Sequence, residues 1–112
     1  MSESQPLHPL EFRILLVLLE SGPSHGYPIV KAIEAREAGR MRIYPANLYR
    51  RIRELLSRGW IREVPAPEGE AVDPRRSYVE ITSAGREVAR AEAARLQELL
   101  RDARSVDLVG PV

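Results

Sequence analysis

Asn47, Arg50, Arg51 and Arg53 fall within a seven-residue span, with Tyr49 among them. Asparagine can bond the edge of adenine through two hydrogen bonds, and arginine can do the same to guanine. Arginine also holds phosphate oxygens, which fix register and carry no sequence information. Such a cluster has the chemistry of a nucleic-acid reader. The chain offers little material for other chemistry. It has no cysteine and two histidines, His8 and His25. No thiol nucleophile, disulfide or cysteine-ligated zinc is available. No nucleophile–base pair, metal-ligand spacing or phosphate-cradling glycine loop occurs, so an enzyme is not expected and no cofactor or metal is implied.

The formal net charge of the 112 residues is +1, but the charge is unevenly placed. Residues 36–62 hold eight arginines against Glu37 and Glu54, a net +6 in 27 residues, while the segments on either side are both net negative. A basic patch on an otherwise acidic chain is the electrostatic footprint of a polyanion binder. An arginine-rich helix face that is merely solvated gives the same composition. With 44% apolar and 29% charged residues the chain reads as one globular domain. The longest aliphatic run, Ile14 to Leu19, is far too short to span a bilayer. Residues 1–5 lack the basic and apolar stretches of a signal peptide. A cytoplasmic location is the expectation, with no membrane contact.

These side chains must be positioned by helices. The spacing predicts a first helix from Pro9 to Ser21, stopped by Gly22-Pro23. Its apolar residues cover nearly the whole circumference, so part of that surface, including Leu15 and Leu19, is expected to meet a second subunit. A second helix starts between Ser24 and Tyr27 and reaches about Ala38, with Pro28 in its first turn. A third begins near Pro45 and ends at Gly59. Leu48, Ile52, Leu55 and Leu56 form its inward face, so Asn47, Arg50 and Arg53 point outward and Tyr49 and Arg51 lie on the flanks. Residues 60–64 and 77–82 read as two short strands flanking a Pro-rich loop, a long hairpin with Arg75 and Arg76 at its base and Glu68, Glu70 and Asp73 near its tip. Thr82 caps a last helix to about Arg104. That helix carries an apolar stripe of Val88, Ala91, Leu96, Leu99, Leu100 and Ala103.

Three helices, a hairpin and a long helix make a mainly α chain with a small β hairpin, the order of a winged helix-turn-helix. The expected organisation is a winged helix-turn-helix domain over residues 1–84, a C-terminal dimerisation helix over 85–104 and a frayed tail over 105–112. Helix three would face the major groove, with Asn47 and Arg50 as base readers, Tyr49, Arg51 and Arg53 near phosphates, and Arg75 and Arg76 beside the minor groove. The acidic wing tip opposes deep insertion of the hairpin. The alternative is a winged-helix module that binds an acidic protein partner and no DNA.

From Leu10 to Gly85 the chain resembles the PadR family of bacterial transcriptional regulators. The resemblance rests on the Leu-rich first helix, His25-Gly26-Tyr27 opening helix two, Leu48-Tyr49 in helix three, Gly59-Trp60-Ile61 after it, and Tyr78 with Ile81-Thr82-Ser83-Ala84-Gly85 after the wing. It implies a homodimer built through the C-terminal helix, here through Leu15, Leu19, Val88, Leu96, Leu99, Leu100 and Ala103. It also implies double-stranded DNA as partner, a pseudo-palindromic operator, and repression. The family pattern Gly-Thr-Leu-Tyr-Pro is replaced by Ala46-Asn47-Leu48-Tyr49-Arg50, so a typical member's operator does not transfer. Some multidrug-sensing relatives hold planar drugs between tryptophans of the dimer-forming helix. The sole tryptophan here is Trp60, which is expected in the core, and no small-molecule effector is assigned.

Overall fold

The computed structural model describes residues 6–66 and 78–110. The elements run α1 (Pro9–Ser21), α2 (Gly26–Glu37), α3 (Pro45–Ser57), β1 (Ile61–Val64), β2 (Tyr78–Ile81) and α4 (Ser83–Ser105). Local chemistry accounts for most of the boundaries. His8 caps α1, its Nδ1 accepting the Leu10 N–H at 3.0 Å, while the Glu11 carboxylate accepts the His8 N–H at 3.0 Å. This is a reciprocal capping box with histidine in the place usually held by serine or threonine. At the end of α3, Gly59 takes φ +76°, and the Trp60 N–H reaches back to the Leu55 carbonyl at 3.1 Å. That left-handed turn satisfies carbonyls the helix would leave unpaired and aims the chain into β1.

β1 and β2 pair antiparallel, with Ile61 opposite Ile81 and Arg62 opposite Glu80. Arg62 and Glu80 close an ion pair across the strands at 2.6 Å. Ser24, between α1 and α2, adds a third position to this ribbon. Its N–H donates to the Val79 carbonyl at 3.0 Å and its carbonyl accepts the Val79 N–H at 2.8 Å. The wing is thereby fastened to the start of the helix-turn-helix.

Thr82 joins the hairpin to α4. Its hydroxyl oxygen accepts the Gly85 N–H at 3.0 Å, as the sequence predicts for a cap, and also donates to the Gly59 carbonyl at 2.7 Å. Gly85 lies so close to the α3–β1 turn that a Cβ there would sit 2.1 Å from the Trp60 carbonyl oxygen. The Ile81-Thr82-Ser83-Ala84-Gly85 segment is therefore a junction that needs both a hydroxyl and a missing side chain.

The core is built from Ile14, Leu15, Ile29, Ile33, Leu48, Leu55, Ile61 and Val79. α1 packs against α2, α3, α4 and β2. This corrects the expectation that Leu15 meets a second subunit, because Leu15 is fully enclosed within its own chain. Four neighbouring elements consume most of the apolar circumference of α1. What remains is Phe12 and Leu16, half-buried, and Leu19, exposed.

Candidate nucleic-acid interface

α3 is amphipathic with a clean division. Leu48, Ile52 and Leu55 are buried, while Asn47, Arg50 and Arg53 are exposed on the opposite face. Arg50 donates through Nη2 to the Asn47 Oδ1 at 3.1 Å. Glu54, which could have paired with Arg50 one turn away, instead pairs with Arg58 at 3.1 Å. Arg53 has no ion pair among the described residues. The outward face of α3 is therefore a strip of hydrogen-bond donors with two uncompensated positive charges.

Arg51, expected near phosphates, is half-buried at the edge of this face. Its guanidinium lies 3.5 Å from the carboxylate of Glu11, whose side chain is almost wholly buried. A half-buried arginine leaning on a buried carboxylate ties α3 to α1. Tyr49 is 47% exposed and closes over the first turn of α2. A Cβ on Gly26 would stand 2.6 Å from the Tyr49 hydroxyl, so the glycine is what lets the ring approach. His25 meets Tyr78 edge-to-face, ring centroids 4.9 Å apart. It is a packing residue beside the wing. Arg58 stacks over Trp60 at 5.0 Å, and Trp60 is half-buried against the core. Arg75 and Arg76, with the acidic residues of the wing tip, lie outside the described residues.

A second group of exposed polar side chains, not singled out from the sequence, lies between α2 and α3. Tyr27, Lys31, Arg42 and Tyr44 line a cleft of 430 Å³ between α2 and α3, together with Tyr49. The i, i+4 spacing of Tyr27 and Lys31, and the placement of Arg42 and Tyr44 just before Pro45, were the signals available for it.

Further exposed apolar surface lies on α1, on α4 and at Val106, Leu108 and Val109 just after it. Leu19, Leu96, Leu99 and Leu100 are exposed, whereas Val88 and Ala103 are half-buried, Val88 against the chain's own core. Phe12 and Leu16 face Ala89 and Ala93 across a groove of 210 Å³ between the two helices. Beside it, Glu92 is buried and paired with Arg95. The Arg95 hydrogen bond holds the Glu92 carboxyl below the ordinary value of 4.5, against the opposing effect of burial, with help from the Arg95 charge and the Leu7 backbone.

The PadR-like family of transcriptional regulators matches residues 14–91, from the first helix through the wing into α4. The chain belongs to this family. No curated protein matches it in sequence. A transcriptional regulator from Clostridium thermocellum is similar at 26% identity, over 89% of this chain and 90% of that one, with a TM-score of 0.73. A PadR family regulator from Clostridium difficile shares the fold at 18% identity, covering 88% and 98% of the two chains, TM-score 0.73. Bacillus subtilis PadR, solved with operator DNA, shares it at 18% identity and a TM-score of 0.61, over 75% of this chain. This PadR-like chain matches 46% of that protein's length. The PadR-like fold is mainly helical with a winged helix-turn-helix, as the element order predicts.

Proposed function

We propose that this PadR-like protein is a sequence-specific DNA-binding regulator that acts as a homodimer in the cytoplasm. The carrying observation is the outward face of α3, where Asn47, Arg50 and Arg53 are exposed on a helix anchored by Leu48, Ile52 and Leu55. The same fold meets operator DNA in the Bacillus subtilis relative. Two copies of α3, about 34 Å apart across a two-fold axis, would enter successive major grooves and read a pseudo-palindrome. Occupying a promoter in this way excludes other proteins and represses transcription. The exposed Leu19, Leu96, Leu99 and Leu100 supply the apolar surface for the second copy. Among the described residues no helix is long and apolar enough to cross a membrane.

Selection of bound duplexes from a random pool, followed by a salt titration, tests the reading. Enrichment of an inverted repeat whose half-sites lie one helical turn apart is the expected result, with affinity falling steeply as salt rises. A pool that stays random, with no salt-dependent affinity for any duplex, would overturn it and point to an acidic protein partner.

A further inference from the structure

Asn47 and Arg50 lie one helical turn apart on α3, and both are exposed. The Arg50 Nη2 donates to the Asn47 Oδ1 at 3.1 Å. The surroundings of the pair favour this contact over others. Side chains on a helix lean toward its N-terminus, which carries the Arg50 guanidinium over Asn47. Glu54, the carboxylate one turn the other way, is engaged by Arg58 at 3.1 Å. Arg53 lies on the same side as Glu54 and repels a second guanidinium. Asparagine near a helix start commonly bonds the local backbone. Here α3 begins at Tyr44 without a side-chain cap bond, and the Asn47 oxygen takes a guanidinium instead.

We propose that Asn47 is a positioning residue for Arg50: its side-chain oxygen holds the guanidinium over the outward face of α3, ready to fork onto guanine, and Asn47 itself reads no base. The proposal rests on the DNA-binding reading above. Guanine offers N7 and O6 as neighbouring acceptors, and arginine meets both only when its plane is set. The bond to Asn47 takes one N–H of Arg50 and leaves its other donors for the base. A long side chain that becomes ordered only on binding costs about two- to ten-fold in affinity, because its rotamer freedom is lost at that moment. An arginine already held over the helix avoids part of this cost. A side chain that itself made two bonds to a base would contribute about 5- to 150-fold of discrimination at its own base pair. The two roles therefore differ in size and in their place along the operator.

The test uses the whole protein, the operator obtained by selection, and duplexes that change it one base pair at a time. Affinity is measured for wild type, Asn47→Ala, Arg50→Ala, the double variant and Asn47→Asp. Arg50→Ala is expected to flatten preference at one guanine. Asn47→Ala is expected to weaken preference at that same guanine by about two- to ten-fold and to leave every other position at its wild-type value. Added to Arg50→Ala, it should change preference nowhere, since no guanidinium is then left to hold. Asn47→Asp keeps an acceptor oxygen and should keep the guanine preference, while its charge lowers affinity alike on every duplex. Both side chains are exposed and alanine suits a helix better than asparagine, so the variants should fold, which a melting curve checks. Loss of preference at an adenine, additive with Arg50→Ala, would overturn the proposal and make Asn47 a base reader. Unchanged guanine preference in Asn47→Ala would overturn it as well, and so would a lost one in Asn47→Asp. A wild-type protein that prefers no base at any position would instead remove the sequence-specific reading itself, and the proposal with it.

Discussion

Arg50 and Asn47 hold each other before any base is present, and this narrows what they can read. With its Oδ1 accepting from Arg50, Asn47 has its amide N–H groups and one remaining lone pair of that oxygen free. The two-bond contact to adenine would share that oxygen with Arg50, so the Arg50 bond competes with asparagine–adenine pairing. The pair together offers donors, which suit the N7 and O6 acceptors of guanine. Arg50→Ala is accordingly expected to cost about 1–3 kcal/mol on the selected operator, to relax preference at one guanine, and to change random-duplex affinity little. Equal losses on both duplexes in a competition assay would contradict base reading. Arg51→Ala should behave in the opposite way. It leaves the buried Glu11 carboxylate with only the His8 N–H, so melting temperature falls while the salt slope holds. The exposure of Asn47, Arg50 and Arg53 was legible in the sequence because it follows from a 3.6-residue period. The partner of Arg51 was not, because it lies 40 positions away and only tertiary packing brings it near.

At the scale of elements, what could be read was whatever has a local cause. Pro9 and Gly22 bound α1, Pro45 opens α3, and Thr82 caps α4, each through backbone chemistry within a few residues. The His8 capping box, the Ser24–Val79 pairing and the enclosure of α1 were hidden, since histidine is a rare cap and the other two depend on distant chain. Glu92 on α4 belongs to the same class, as sequence shows a charged residue and structure shows a buried one. Its carboxyl is held below 4.5 in the folded state. The stabilisation is therefore fully present above the unfolded value and is lost as pH falls through the lowered one. Melting temperature should drop as the protein is taken from about pH 5 to about pH 3. Glu92→Gln should be less stable near neutrality and show a shallower acid decline. A variant whose melting temperature follows the wild-type curve throughout would mean that the Arg95 pair contributes nothing to folding.

The whole molecule is longer than its own core explains. Its longest dimension is 51 Å and its radius of gyration is 15.7 Å, against about 13 Å for a compact chain of roughly 100 residues. The later half of α4 accounts for much of this excess, because Leu96, Leu99 and Leu100 stand exposed along it. A second copy would cover that stripe and bring two basic segments, each net +6 over residues 36–62, onto one duplex. Pairing of subunits and strength of DNA binding should then fall together. Leu99→Glu with Leu100→Glu places like charges on the stripe without touching α3, and both side chains are already exposed, so each chain should still fold. Light scattering should report a monomer. A monomer holds half the phosphates of the pair, so its salt slope should be close to half that of wild type. A double variant that remains dimeric would place the subunit interface elsewhere. One that becomes monomeric but keeps the full slope would show that a single subunit holds every phosphate, and the two-groove geometry would be wrong.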